Sequence, residues 1–141
     1  MASSDIAPAT TVMQDRALLA ARLLVTPLFI YSGIGKILAF GVTASRLPGG
    51  EGGFGSFLAA GSIVIELGAS LALILGIWTR CAALALIVFT VLATVMFHNF
   101  WASPAAAVTA QTINFLKNLG LIGLFAVIAA FGPGAYALRR K

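Results

Sequence analysis

The residues best suited to chemistry in this sequence are a few polar side chains inside long apolar stretches. Glu66 and His98 are the candidates for handling protons, because carboxylates and imidazoles are common acids and bases in proteins. The candidates for binding a ligand by charge or hydrogen bonds are Lys36, Asn114, Lys117 and Asn118. No metal site is predicted, because one cysteine, Cys81, and one histidine make a weak metal-binding set.

These candidates belong to stripes of polar residues at helical spacing. Three such stripes are Ser62-Glu66-Ser70, Thr90-Thr94-His98 and Gln111-Asn114-Asn118. Residues three or four apart share one face of a helix. Because polar faces are not stable against lipid, we expect the stripes to point into a shared interior. The depths of the six candidate residues along their predicted membrane spans are similar. We therefore predict that they share one pocket that opens to the extracytoplasmic side.

Glu66 has two open interpretations. An ionised carboxylate inside a membrane costs on the order of 3 kcal/mol. We therefore expect Glu66 to be neutral or paired with Lys117, Lys36 or Arg22. Such a pair could be structural and fix the helix register, or it could handle protons and bind a ligand. Arg22 and Arg80 are predicted to serve structure and membrane topology.

The composition identifies the class of protein that must position these groups. Hydrophobic residues make up 60% of the 141 residues, charged residues 9%, and the mean hydropathy is +1.04. Soluble domains carry roughly a quarter charged residues. The sequence therefore indicates an integral membrane protein that contacts the lipid bilayer, and it excludes disordered, coiled-coil and nucleic-acid-binding proteins.

Four segments are long and apolar enough to cross a bilayer, which needs about 20 residues per helix. They cover residues 17–40, 57–79, 81–101 and 112–131. The predicted fold is an all-α four-helix membrane bundle over residues 17–134. A disordered lead is predicted at 1–16 and a basic cytoplasmic tail at 135–141. The glycine-rich stretch 41–56 is expected to be mobile unless a partner orders it.

The distribution of basic residues predicts the orientation. The net charge is +5. One side of the predicted bundle collects Arg16, Arg80, Arg139, Arg140 and Lys141, whereas the other has mainly Arg46, with Lys36 close by. Because cytoplasmic segments are enriched in lysine and arginine, both termini are predicted to be cytoplasmic.

The sequence also resembles the DoxX family of small bacterial inner-membrane proteins. The likeness rests on the order and spacing of several short motifs, among them Ala21-Arg22-Leu23, Ser32-Gly33, Gly35-Lys36, Glu66-Leu67-Gly68, Phe100-Trp101, Phe115-Leu116-Lys117-Asn118-Leu119 and Gly132-Pro133-Gly134. The resemblance implies a four-span bundle in the inner membrane. It also implies an association with redox chemistry, since some family members are subunits of thiosulfate:quinone oxidoreductase.

The leading functional hypothesis is the membrane subunit of a quinone- or thiol-linked oxidoreductase system. Its ligand, with a quinone as one possibility, would occupy the outward-facing pocket, and a redox partner is required because the chain has no cofactor motif of its own. Whether the chain is itself an enzyme is left open. Two alternatives are a non-catalytic anchor or assembly subunit of a larger complex, and a small-solute or proton channel formed by a homo-oligomer.

Overall fold

The computed structural model describes residues 9–138, and its regular structure there is helical. The elements are α1 (Ala9–Leu38), α2 (Phe40–Ser45), α3 (Phe54–Leu75), α4 (Thr79–Phe97), a 3-10 turn (Phe100–Ala102) and α5 (Ala105–Phe131). The candidate spans are Thr11–Leu38, Phe54–Leu75, Thr79–Ala102 and Ala105–Phe131, and each is long and apolar enough to cross a membrane. The prediction of an all-α protein with four spans is confirmed.

The four long helices follow one another around the bundle. α1 packs on α3, α3 on α4 and α4 on α5, and a smaller contact between α1 and α5 completes the arrangement. The apolar core includes Phe29, Leu73, Leu86, Phe125 and Ile128, of which all but Phe29 are completely buried. These residues lie mostly in the half of the bundle nearest the α3–α4 turn. The other half is less tightly filled, and the polar candidates lie there.

The chain ends of the described segment differ from the sequence prediction. α1 begins at Ala9, so the part of the predicted disordered lead that the structure describes is helical. The Asp15 carboxylate accepts a hydrogen bond from the Ala135 amide at 2.8 Å, which ties the start of α1 to the chain after α5. Residues 1–8 of the predicted lead and 139–141 of the predicted basic tail lie outside the described residues.

The glycine-rich connection between α1 and α3 is folded against α3 instead of extending freely. It contains α2, and Ala44 of this helix is completely buried. At Gly55, in the first turn of α3, a β-carbon would lie 2.5 Å from the Ala44 carbonyl oxygen. Glycine at this position therefore lets the two helices approach closely and orders a segment that the composition alone predicts to be mobile.

Candidate functional site

An ion pair lies inside the bundle between α1 and α3. Lys36 Nζ is 2.5 Å from Glu66 Oε2, and the Glu66 side chain is 2% exposed. The same ammonium group donates a hydrogen bond to Ser32 Oγ at 3.2 Å and lies 5.1 Å from the centre of the Phe89 ring. Of the three partners proposed for Glu66 from the sequence, the structure selects Lys36.

The depth of this pair follows from helix geometry. Glu66 lies nine residues before the end of α3 at Leu75, which corresponds to roughly 13 Å at 1.5 Å per residue. This places Glu66 near the middle of a hydrocarbon core about 30 Å thick. The close approach of α1 to α3 depends on Gly33, where a β-carbon would lie 2.7 Å from the Leu67 side chain.

A cavity of about 710 Å³ extends along the less densely filled half of the bundle. Most of its wall is apolar and comes from α1, α3 and α4, including Phe29, Phe89 and Met96. Four of the six predicted pocket residues line this one cavity: Lys36, Glu66, His98 and Asn118. A mostly apolar cavity with a few convergent polar groups is typical of sites for small organic ligands.

Hydrogen bonds hold the two polar residues on the α4–α5 side of the cavity. His98 Nδ1 lies 2.8 Å from the side-chain oxygen of Gln111. Asn118 Nδ2 donates to Thr94 Oγ1 at 2.8 Å, and the Thr94 hydroxyl donates in turn to the Thr90 carbonyl oxygen at 2.5 Å. With the Gln111 oxygen as acceptor, Nδ1 of a neutral imidazole carries the proton and Nε2 is left as an acceptor.

The other two predicted pocket residues do not line the cavity. Lys117 Nζ donates to Asn114 Oδ1 at 3.2 Å; Lys117 is exposed, whereas Asn114 is partly buried. Adjacent residues of an α-helix are separated by about 100°. Because Asn118 faces α4, the side chain of Lys117 is rotated away from the interior. The prediction that all six candidates share one pocket therefore differs from the structure at these two positions.

The two arginines assigned to structure and topology lie away from the cavity. Arg22 is completely buried and donates to the carbonyl oxygens of Leu73, at 3.1 Å, and Tyr136. It thus satisfies an acceptor in the last turn of α3 and holds the chain that follows α5. Arg80 is exposed near the start of α4, beside Gly132.

Two cavity-lining residues were not selected as site residues from the sequence. Thr90 belongs to a predicted polar stripe, and its hydroxyl oxygen is buried without a hydrogen-bond partner within the described chain. Arg46 was assigned to membrane topology, yet it lines the cavity together with α2 and the residues next to it. The spacing of Thr90 in its stripe was a usable signal, whereas the placement of Arg46 depends on how the connection folds.

Across residues 9–138, the structure contains no group of three or more histidine, cysteine, aspartate or glutamate side chains that could hold a metal ion. The polar side chains that line the cavity supply charge and hydrogen-bonding groups; they include Lys36, Arg46, Glu66, Thr90, His98 and Asn118.

Comparison with known proteins identifies the family. The DoxX family model matches residues 17–99. The inner membrane protein YphA of Escherichia coli K12 is 33% identical over 124 residues, covering 88% of this chain and 89% of the relative. The inner membrane protein YqjF of the same organism is 34% identical over 128 residues, covering 91% and 93%. No solved structure shows a significant match. With four membrane-spanning helices and these relatives, the chain belongs to the DoxX family of integral inner-membrane proteins.

Proposed function

We propose that this protein is the membrane subunit of a quinone- or thiol-linked oxidoreductase system and that it binds a small ligand in the cavity. The observation that carries the proposal is the convergence of Lys36, Glu66, His98 and Asn118 on one largely apolar cavity. The association with redox chemistry comes from the family resemblance. A ligand with an apolar ring or chain and a polar head, such as a quinone, has the matching chemistry.

Each cavity residue has a specific role in this proposal. An ammonium group has three N–H donors, and two of those of Lys36 are used by Glu66 and Ser32. The third donor of Lys36 and the Asn118 amide orient a carbonyl or anionic group of the ligand. Glu66 and His98 accept and release protons as the ligand changes its charge. Electron transfer requires a partner subunit that carries a redox cofactor.

The orientation in the membrane is part of the proposal. The Asp15–Ala135 hydrogen bond brings the start of α1 and the end of α5 to the same side of the bundle. The positive-inside rule places that side in the cytoplasm. The part of the cavity wall formed by α2 and His98 then faces the extracytoplasmic side, where a ligand enters.

Binding of a short-chain ubiquinone analogue tests this function. The purified protein is reconstituted in nanodiscs, and analogue binding is measured by equilibrium dialysis against empty nanodiscs. The chain offers two matched controls. Lys36→Met and Asn118→Ala alter cavity residues, whereas Lys117→Met and Asn114→Ala make the same changes at residues of α5 that do not line the cavity.

We expect Lys36→Met to bind the analogue about tenfold more weakly or worse, since a lost hydrogen bond to a charged group costs about 1.5–3 kcal/mol. Asn118→Ala loses a hydrogen bond between neutral groups, about 0.5–1.5 kcal/mol, and should bind the analogue roughly two- to tenfold more weakly. Lys117→Met and Asn114→Ala should bind like the parent protein. Equal binding by all four variants, or no binding above that of empty nanodiscs, would contradict the proposal.

A second candidate function is that of a non-catalytic assembly subunit. The observation that favours it is the pair of exposed Lys117 with Asn114 on α5, the least buried of the four spans. Polar groups in membrane helices commonly pair with another helix. In this case a stoichiometric partner that co-purifies with the parent protein should be lost from Lys117→Leu and retained by Lys36→Met. The opposite pattern would contradict the assembly role of α5.

A further inference from the structure

The wall of the cavity carries more positive than negative charge. Its charged side chains are Lys36, Arg46 and Glu66. Lys36 and Glu66 are 2.5 Å apart and neutralise each other. Within the described residues this is the only ion pair, so Arg46 has no carboxylate within the 4.0 Å that defines one. Because Arg46 is exposed, its charge acts on a ligand chiefly through direct hydrogen bonds and through an attraction that salt screens.

The remaining acidic residues of the described chain do not supply the missing negative charge. Glu51 lies beside the start of α2, because a β-carbon at Gly41 would lie 2.6 Å from its Oε1 atom. Asp15 is bonded to Ala135 at the opposite end of the bundle. An anion near Arg46 must therefore come from outside the described chain.

The position of Arg46 relative to the apolar wall defines the shape of a suitable ligand. Arg46 is exposed and directly follows α2, which is held in place by the contact of Ala44 with Gly55. The wall of the same cavity also includes Met96 and Leu58, and Leu58 lies eight residues before Glu66 in α3. The guanidinium group can bind a carboxylate through two parallel hydrogen bonds, while the wall accepts an apolar chain.

We propose that the cavity selects an amphiphilic anion, with a carboxylate-type head at Arg46 and an apolar chain or ring directed towards the Lys36–Glu66 pair. This inference rests on the proposed function, because it specifies the class of ligand that the same cavity binds. A cationic head group is disfavoured there by Arg46, and a neutral head group does not form the charge-assisted hydrogen bonds that a carboxylate would accept from Arg46.

Two ligands with the same chain test the charge selectivity. Decanoate and decanol are titrated at pH 8 and low ionic strength into the protein in phosphatidylcholine nanodiscs, with empty nanodiscs as the baseline. We expect the parent protein to bind decanoate about tenfold more tightly than decanol. Arg46→Gln should remove this difference. Arg80→Gln removes the same charge near the start of α4, and this variant should still bind decanoate more tightly than decanol. The comparison distinguishes an effect of the protein's overall charge from an effect of the cavity.

Several outcomes separate this inference from the proposed function. If the ubiquinone analogue binds but decanoate binds no better than decanol, the charge selectivity is refuted while the ligand-binding function stands. If neither the analogue nor decanoate binds, both proposals fail. If phosphatidylglycerol added to the nanodiscs removes the binding of decanoate that the parent protein shows above empty nanodiscs of the same lipid composition, selection of an anionic head is supported and its source is a bilayer lipid.

Discussion

Replacing Lys36 with methionine tests the physical basis of the site most directly. Methionine keeps the length and apolar character of the lysine side chain and removes its charge. Glu66 then remains 2% exposed and loses the ammonium group that lies 2.5 Å from its carboxylate. The substitution therefore leaves an uncompensated acidic group near the middle of the membrane.

The expected magnitude follows from the burial of the two partners. Removing one partner of a buried ion pair costs about 3–5 kcal/mol, compared with about 0–1 kcal/mol for an exposed pair. For a chain of 141 residues this corresponds to a decrease in Tm on the order of 10 °C. Glu66→Gln should cost less than Lys36→Met, because Lys36 is 24% exposed and can turn its charge towards water.

Thermal unfolding in detergent, followed by far-ultraviolet circular dichroism, measures these differences. The double variant Lys36→Met/Glu66→Gln should recover most of the loss, since no charge is then left unpaired. Lys117→Met, which removes an exposed lysine of α5, is the matched control and should change Tm little. The reasoning is refuted if Lys36→Met melts within about 2 °C of the control, or if the losses of the two single variants simply add.

Three further predictions concern packing, the chain ends and orientation. Gly55→Ala should be about 1–3 kcal/mol less stable than Gly68→Ala in thermal melts. The reason is that a β-carbon at Gly55 would lie within 3 Å of backbone atoms, whereas a β-carbon at Gly68 would have open space. Equal melting temperatures of the two variants would contradict the close packing of α2. Asp15→Ala removes the hydrogen bond to the Ala135 amide, and it should lower the free energy of unfolding by about 1 kcal/mol and speed proteolysis of the C-terminal segment. An unchanged rate of cleavage would contradict a stabilising role for this hydrogen bond. Cys81 is the single cysteine of the sequence and is exposed. It should react with a membrane-impermeant maleimide only after spheroplasts are permeabilised. Labelling of intact spheroplasts would indicate the opposite orientation in the membrane.

The candidate site shows where sequence patterns are informative. Glu66 and Lys36 were identified because ionisable groups inside apolar spans need partners. His98 and Asn118 were identified because they continue polar stripes at helical spacing. Each of these four residues lines the cavity. Asn114 belongs to the same stripe as Asn118 and does not line it, so the pattern within single helices identified the cavity residues together with one that lies outside.

Lys117 and Arg46 show what such patterns miss. Depth along the chain placed Lys117 with the pocket, but depth does not fix the rotation of a helix. The rotation of α5 is fixed by the burial of Phe125 and Ile128 and by the bond from Asn118 to Thr94. Arg46 reaches the cavity because Ala44 packs against Gly55, a contact between separate elements that no periodicity encodes.

The sequence by itself determined that this chain crosses the membrane four times and that its helices carry stripes of polar residues. Both properties follow from local hydropathy and helical periodicity, since lipid cannot hydrogen-bond to polar groups. Only the tertiary structure decided that Lys36 is the partner of Glu66 and that Lys117 lies outside the cavity. The reason is that pairing depends on the relative rotation and spacing of packed helices, which side-chain volume and close backbone contacts set between segments distant in the chain.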